Sequence, residues 1–475
     1  MRRAALLLAL VLAGCGGGRA AAPGPPPGST LRATLVDSDG DGFLARGPGE
    51  PLLDRGGHAR PGATLATFAQ LTDTHVRDEE SPARVPFLDR LGAPFTSTFR
   101  PQEAFSTQVL DAAVRAVNRE RPQAVFVTGD VVDNAQANEL RMAVDTLDGR
   151  EVDPNSGGPG YDGVQAADGA DPFYYRPDHD APRHAGVLRA AQRPFRAAGL
   201  DAPWYPVVGN HDVLAQGEVP VTPAIENVAT GDLLVPSLDP SLRPPRNEGS
   251  ARAAVAAVLS GGLPGDAERV PADPGRRILT GAEATARLAA AGARGTALHD
   301  GLMDYTVDVG PHVRAVTLDT VRRDGTSQGL IRPEQLAWLR DQLARAGDRW
   351  VLVFSHNPLD ATAGGDAALA ALDGDPRVVA AVAGNRHRNV VGRRGHVWLV
   401  GTSSLADYPQ QARMFRLRTV PGGGVALETW MVDHDQSGLA GVSEQLAYLD
   451  AQGGRPQDFD GTPRDRNVRL FLSEP

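Results

Sequence analysis

Five short polar motifs, each placed where an apolar, strand-like run ends, constrain this chain more than any other feature. They are Asp73-Thr74-His75, Gly129-Asp130-Val131-Val132-Asp133, Gly209-Asn210-His211-Asp212, Ser355-His356-Asn357 and Gly384-Asn385-Arg386-His387. The motifs supply carboxylate, amide and imidazole groups, which are common metal ligands in proteins. Because the carboxyl ends of parallel strands meet at one edge of a sheet, the pattern predicts a single metal site there.

The segments between the motifs predict alternating strands and helices. The apolar runs that are compatible with buried strands are residues 64–71, 124–128, 204–208, 350–354 and 378–383. Phe105, Val109, Ala113 and Val117 recur every four positions, which predicts an amphipathic helix. The chain is therefore predicted to be an α/β protein whose site lies outside the carboxyl ends of its strands.

The order of the motifs, D-x-H, GDxxD, GNH, a single His and G-x-x-H, resembles the calcineurin-like metallophosphoesterases, including purple acid phosphatases and class III phosphodiesterases. The resemblance spans residues 64–433 and implies a four-layer αββα sandwich. It also implies a metal-dependent hydrolase that acts on phosphodiesters or phosphomonoesters. Two stretches, residues 135–200 and 214–300, exceed a minimal domain and are predicted to be long loop insertions, which either roof the site or decorate the surface.

The resemblance assigns a role to each ligand. It implies that the first metal ion is held by Asp73, His75 and His387, and that Asp130 bridges to a second ion held also by Asn210 and His356. This mixture of oxygen and imidazole ligands suits manganese, iron or zinc better than calcium. A hydroxide bridging the two ions would attack the phosphorus atom of a phosphorylated substrate.

The same resemblance implies a general acid beside the metals. His211 would not be a ligand but would protonate the leaving-group oxygen, with Asp133 orienting its ring and raising its pKa. Asp212 is a weaker candidate for that support. Arg386 and Arg388 flank the last histidine and are candidates for binding the substrate phosphate, although solvated surface arginines would give the same sequence.

Asn385 departs from the family pattern. Relatives usually end in a GHxH motif whose first histidine binds the second metal, and this chain has an amide there. Because a neutral amide donates less strongly than imidazole, Asn385 is a tentative ligand and weak occupancy of the second site is predicted. Two functions follow as alternatives: a two-metal hydrolase, or a surface binding protein with a single metal on the same scaffold.

The first thirty residues predict export. Met1-Arg2-Arg3 and the apolar run of residues 4–12 have the form of a signal peptide, and Leu12-Ala13-Gly14-Cys15 resembles a lipoprotein lipobox. Residues 1–15 are then the signal with Cys15 as the lipidated residue, and residues 16–30 a flexible tether. The expected location is extracytoplasmic, anchored to the cell membrane or secreted. An ordinary cleaved signal with an incidental cysteine is the alternative.

The remaining boundaries follow from composition and length. Residues 31–63 are predicted to be an N-terminal extension, residues 64–435 the catalytic domain, and residues 436–475 a C-terminal extension. A formal net charge of −10 argues against a general nucleic-acid binder, which would need a basic face. The acidic run of residues 37–42 imitates half of a calcium loop, but Pro48 occupies its twelfth position, so an acidic turn is predicted. Nothing in the sequence indicates an oligomeric state.

Overall fold

The computed structural model describes residues 28–93, 95–169, 171–234, 247–260, 267–453 and 458–472. The predicted signal, Cys15 and most of the predicted tether lie outside these residues. Within the described part of the chain, no helix combines the length and the apolar character needed to cross a membrane.

Two β-sheets form the centre of the molecule. The seven-stranded sheet has the spatial order Leu53–Arg55, Val468–Leu472, Val425–Asp433, Gln411–Thr419, Thr64–Leu71, Ala124–Thr128 and Trp204–Val207. The six-stranded sheet has the order Tyr305–Val309, Val313–Leu318, Trp350–Ser355, Val378–Ala383, Val397–Gly401 and Val390–Arg394. Within each sheet, the strands that carry the polar motifs pair in parallel with one another, so their carboxyl ends point the same way.

Aromatic rings fill the space between the sheets. Phe126 of the first sheet stacks on Phe354 of the second with ring centroids 3.8 Å apart, and Phe68 stacks on Phe415 at 4.9 Å. Phe68 also meets Phe354 edge to face at 5.8 Å. All four side chains are at most 1% exposed, so their burial contributes to the apolar area that drives the two sheets together.

Helices cover the outer faces and complete the four-layer αββα sandwich that the sequence predicted. The α-helices are Ser106–Glu120, Ala137–Leu147, Val187–Ala191, Asn210–Val213, Pro223–Thr230, Glu248–Leu259, Gly281–Ala291, Pro333–Ala344, Gly365–Asp373 and Leu439–Gln452. The predicted helical spacing is observed in Ser106–Glu120, whose Val109, Ala113 and Val117 are buried against the seven-stranded sheet. Helices Pro333–Ala344 and Gly365–Asp373 cover the other sheet through Leu339 and Leu369.

The two predicted insertions contain regular structure and are not loops throughout. Helix Ala137–Leu147 opens the first and packs into the main core through Leu140 and Met142. The second contains helices Pro223–Thr230, Glu248–Leu259 and Gly281–Ala291. These helices are short and lie in Gly- and Pro-rich surroundings, where helical periodicity is weak in the sequence.

A buried arginine ties both insertions to the loop that follows the first polar motif. The Arg276 side chain is fully buried; its Nε donates to Asp78 Oδ2 at 3.0 Å and its Nη2 donates to Ser156 Oγ at 2.8 Å. Ser156 Oγ in turn donates to Asp78 Oδ1 at 2.8 Å. One guanidinium therefore joins a residue of each insertion to the loop that follows His75.

Both predicted extensions contribute to the central sheet and are not separate from the domain. Leu53–Arg55 pairs in parallel with Val468–Leu472, which pairs antiparallel with Val425–Asp433. Thr30 is buried, and its backbone N–H donates to Met431 O at 2.9 Å. In the acidic run, the Asp37 carboxylate accepts hydrogen bonds from the N–H groups of Gly40 and Gly42, as in a turn.

Candidate metal centre

All five polar motifs meet at one rim, where the carboxyl ends of strands from both sheets come together. Asp73 and His75 follow strand Thr64–Leu71, and Asp130 follows Ala124–Thr128. Asn210 and His211 follow Trp204–Val207, while His356 and His387 follow Trp350–Ser355 and Val378–Ala383 of the second sheet. The predicted ligands therefore converge from strands that are far apart in sequence.

The first predicted ligand set is assembled as expected. Asp73, His75 and His387 each offer one ligand atom to a common centre, all within 4.8 Å of one another. The Nε2 atoms of His75 and His387 lie 3.2 Å apart, and Asp73 Oδ1 lies 3.4 Å from His387 Nε2. Two imidazole nitrogens and a carboxylate oxygen that converge in this way are a candidate cation site.

Asp130 lies between the first set and the second. Its Oδ2 atom is 3.8 Å from His75 Nε2 and 3.2 Å from His356 Nε2. Asn210 Oδ1 is 3.0 Å from the same His356 nitrogen. The amide orientation of Asn210 is fixed because its Nδ2 donates to Gly217 O at 3.1 Å, which turns the oxygen toward the site. A bridging role for Asp130 fits this geometry.

Each of the three ligand histidines is oriented through its other ring nitrogen. His75 Nδ1 donates to Asp133 Oδ1 at 3.0 Å, and His356 Nδ1 donates to Thr128 O at 2.9 Å. His387 Nδ1 donates to Asp407 Oδ2. In the neutral form of each ring, a proton on Nδ1 leaves the Nε2 lone pair available for a metal.

Asp407 was not identified from the sequence. It lies in a short Ala-Asp-Tyr segment outside the motifs, so only the fold shows that it reaches His387.

The charged groups at the rim suit a bound cation. Burial alone would lower the pKa of His356, but the carboxylate of Asp130 raises it to about 10. Burial also opposes charge on His387, and the carboxylate of Asp73 raises its pKa to about 9. Burial lowers the pKa of His75 to about 4 despite its hydrogen bond to Asp133, so that ring is neutral. Ionised carboxylates around imidazoles fit divalent or trivalent metals.

Backbone strain is concentrated in the same residues. Asp73, His75, Asp130, Asn385 and His387 have positive φ angles of 50°, 42°, 45°, 65° and 52°. Non-glycine residues adopt this left-handed region at a cost and mostly where the surrounding structure enforces it. Five such residues at one rim indicate that packing fixes the positions of the ligands before any metal binds.

Two motif glycines are required by close backbone contact. A Cβ on Gly384 would lie 2.0 Å from Thr72 Oγ1 and 2.4 Å from Asp73 Oδ2. A Cβ on Gly209 would lie 2.1 Å from the backbone nitrogen of Asp130. Any other residue at either position would displace a ligand, because the clashing atoms belong to the site itself.

His211 lies beside the ligands, but its contact with Asp133 differs from the predicted one. His211 Nδ1 donates to the backbone carbonyl of Asp133 at 2.6 Å, while the Asp133 carboxylate bonds to His75 and Arg77. The Arg77 guanidinium attracts that carboxylate, and only the main chain of Asp133 is left to orient His211. Asp212 is also not a partner of His211, because it accepts from the N–H groups of Gly209, Val131 and Val132.

The site opens into a cleft of about 470 Å³. His75, Asp130, Asn210, His211, Asn385, Arg386 and His387 line it. Arg386 is exposed and lies 3.4 Å from Asp360 Oδ1. The other predicted phosphate contact, Arg388, lines a separate small groove. The Asn385 N–H donates to Asp73 Oδ1 at 3.0 Å, which holds its side chain at the cleft.

Segments outside the motifs complete the cleft walls. The insertion helix Glu248–Leu259 contributes Arg252, and the second predicted extension contributes Phe459, whose ring lies 6.0 Å from that of His387. Arg252 is exposed and makes no hydrogen bond or ion pair with the residues that the structure describes. At least one insertion therefore borders the site, which was one of the two predicted alternatives.

Comparison with known proteins identifies a family. The family model described as "Calcineurin-like phosphoesterase" matches residues 66–389, which include all five polar motifs. No curated protein sequence matches the chain.

Among solved structures, a dimetal phosphatase from Danio rerio aligns over 86% of this chain and 100% of its own, at 15% identity and a TM-score of 0.40. A purple acid phosphatase from yellow lupin aligns over 82% of this chain and 54% of its own, at 11% identity and a TM-score of 0.31. A putative 5'-nucleotidase from Staphylococcus aureus aligns over 80% and 58%, at 12% identity and a TM-score of 0.32.

Proposed function

The chain belongs to the calcineurin-like phosphoesterases, metal-dependent hydrolases of phosphoric esters, and we propose that it cleaves phosphoesters with two metal ions and His211 as general acid. One observation carries the proposal. The Nε2 atoms of His75, His356 and His387 all face the Asp73 and Asp130 carboxylates, and each ring is fixed through Nδ1. A preset ligand set of this kind is what a metal-dependent hydrolase requires.

The residues that would hold the ions are those described above. Asp73, His75 and His387 would hold the first ion, and Asn210 and His356 the second, with Asp130 shared by both. Manganese, iron or zinc suits these ligands. When bound, two such ions lower the pKa of water and offset negative charge on the phosphoryl group.

His211 is positioned to donate a proton to the leaving group. Its ring packs edge to face on His75 with centroids 4.7 Å apart, and its Nδ1 is fixed by the Asp133 carbonyl. Nε2 is then the ring nitrogen available to the cleft, since His211 is one of the lining residues, and in the imidazolium form of the ring it carries a proton. Donation of that proton to the departing oxygen is general acid catalysis.

Hydrolysis assays test the proposal directly. Protein beginning at Thr30 would be reconstituted with manganese, iron or zinc and supplied with bis(p-nitrophenyl) phosphate and p-nitrophenyl phosphate. Metal-dependent release of nitrophenol is the expected result, and the diester-to-monoester ratio narrows the substrate class. A folded protein that binds metal but releases no nitrophenol with any of these ions would overturn the proposal.

The second metal site is expected to be the weaker one, because Asn385 replaces a histidine of the family pattern. In wild-type protein the second equivalent of Mn²⁺ is expected to bind less tightly than the first, and Asn385→His to tighten it by about tenfold. Isothermal titration of metal-free protein measures both. Two equally tight ions in wild type would contradict the prediction. A single bound ion without turnover would favour the alternative function, a surface binding protein. The position of His211 in the cleft argues against that alternative, because a binding site needs no proton donor.

Arg252 is proposed to contact the substrate. An exposed guanidinium without a described partner, at the wall of an anion-binding cleft, is free to bind a phosphate oxygen. Arg252→Gln is expected to raise KM for p-nitrophenyl phosphate about threefold to tenfold with little change in kcat. Steady-state kinetics measure this, with Arg287→Gln as the control, since Arg287 is an exposed helix arginine outside the cleft. Equal KM values for the two variants would show that Arg252 does not contact the substrate.

The cellular location is proposed from the sequence alone. We infer export and attachment to the membrane through a lipid on Cys15, because the apolar run and lipobox-like residues precede it. The mass of the mature N-terminus in cells decides between a lipidated Cys15 and an ordinary signal cleavage.

A further inference from the structure

The two histidines of the first ligand set are joined by a continuous chain of buried hydrogen bonds and ion pairs. One arm begins at His75, whose Nδ1 bonds to Asp133 at 3.0 Å. The same carboxylate oxygen accepts from Arg77 Nη2, and Arg77 Nη1 donates to Glu103 Oε2. One arginine therefore bridges the carboxylate that orients His75 and a second carboxylate, which lies just before helix Ser106–Glu120.

A second arm runs from Glu103 to the other histidine. Glu103 Oε2 accepts from the backbone N–H of Arg100 at 3.0 Å. The Arg100 side chain binds Asp407 through Nε and Nη2, the latter at 3.1 Å. Asp407 accepts from His387 Nδ1. Because the Nε2 atoms of His75 and His387 are 3.2 Å apart, the two arms form a closed ring around the first site, with Glu103 as their junction.

The ring is almost entirely removed from solvent. The side chains of Arg77, Glu103, Asp133, Arg100 and Asp407 are between 1% and 5% exposed. Arg84 also pairs with Glu103, which leaves three guanidinium groups facing three carboxylates. Buried ion pairs of this kind are poor sources of net stability, because desolvation offsets their attraction. Their geometric contribution is to fix the positions of the groups at each end.

We propose that Glu103 is a positioning residue that joins the two arms, so that the first metal meets both imidazoles already oriented. The inference rests on the proposed function only for the assignment of His75 and His387 as ligands of that metal. Outer groups that orient metal-binding histidines typically change metal affinity by about 10-fold to 100-fold when removed. Glu103 lies further out than such groups, but it serves both histidines at once.

The test compares two buried glutamates. Glu103→Gln would be paired with Glu428→Gln, because Glu428 is 1% exposed and also accepts from arginines, Arg416 and Arg469, outside the cleft. The affinity of metal-free protein for its first equivalent of Zn²⁺ would be measured by competition with a chromophoric chelator, alongside the melting temperature. Glu103→Gln is expected to weaken Zn²⁺ binding by about tenfold. Glu428→Gln is expected to lower only the melting temperature.

A second variant keeps the test decisive if Glu103→Gln does not fold. Arg100→Lys keeps the charge opposite Asp407 but loses the two-point contact, and it is expected to weaken Zn²⁺ binding as well. Wild-type affinity in the folded Glu103→Gln or Arg100→Lys protein overturns the proposal. The measurement does not use turnover, so a wild-type protein that binds Zn²⁺ through this ring without hydrolysing esters would refute the proposed function and leave the network intact.

Discussion

His211→Ala is expected to lower kcat by about a hundredfold to ten-thousandfold while both metal ions remain bound. In the proposed division of roles, His211 is the proton donor and not a metal ligand. The hydrogen bond it gives to Asp130 Oδ1, at 2.8 Å, comes from its backbone N–H, which alanine retains. The substitution therefore removes the proton donor at the cleft and leaves the bridging carboxylate in place.

The dependence on leaving group separates acid catalysis from a general disturbance of the site. Nitrophenolate is a good leaving group that needs little protonation, whereas an alkoxide needs a proton. The loss in kcat should therefore be larger for an alkyl phosphoester than for a nitrophenyl ester. Metal analysis of the same samples should give wild-type content, and His312→Ala, a change at an exposed histidine, should match wild type. Equal losses for both ester classes, or a loss of metal, would contradict the assignment of His211.

The positions of the proposed ligands at the sheet edge could be predicted because the sequence shows where each strand ends. Apolar runs mark the strands, and a polar residue directly after such a run must lie at the sheet edge, so Asp73, Asp130 and His356 could be placed without a structure. The fixed order of motifs then supplied His387 and Asn210. The position of each of these residues depends on where the preceding strand ends, and the local hydrophobic pattern of the sequence indicates that point.

The partners of the ligands could not be predicted, because they depend on tertiary contacts. Asp407 and Arg100 are 307 positions apart in sequence and neither stands in a motif, yet both orient His387. Arg77 fixes the direction of the Asp133 carboxylate, and Arg77 is itself held by Glu103. Neither contact could be predicted from the sequence. The same limit applies to strand Val468–Leu472, which lies far along the chain from its parallel partner Leu53–Arg55 and was predicted as part of an extension.

Asp130→Asn is expected to have the largest effect of all, with loss of at least one metal ion and a fall in kcat of about a thousandfold or more. A metal ion supplies several kcal/mol of charge stabilisation in the transition state, and each 1.4 kcal/mol corresponds to tenfold in rate. Asn keeps the shape of the side chain but removes the negative charge that lies between His75 and His356. In the metal-free protein, the pKa of His356 should fall from about 10, since the carboxylate that raises it is gone.

Metal content by mass spectrometry and the NMR titration of His356 measure these effects, with Asp360→Asn as the control because Asp360 pairs with Arg386 outside the ligand set. Two tightly bound ions in Asp130→Asn would show that Asp130 does not bridge. Comparing the metal content of Asp130→Asn with that of His211→Ala tests whether metal binding and proton transfer belong to different residues. If Asp130→Asn loses metal and His211→Ala keeps it, binding and proton transfer belong to different residues of the same rim, although one hydrogen bond joins them.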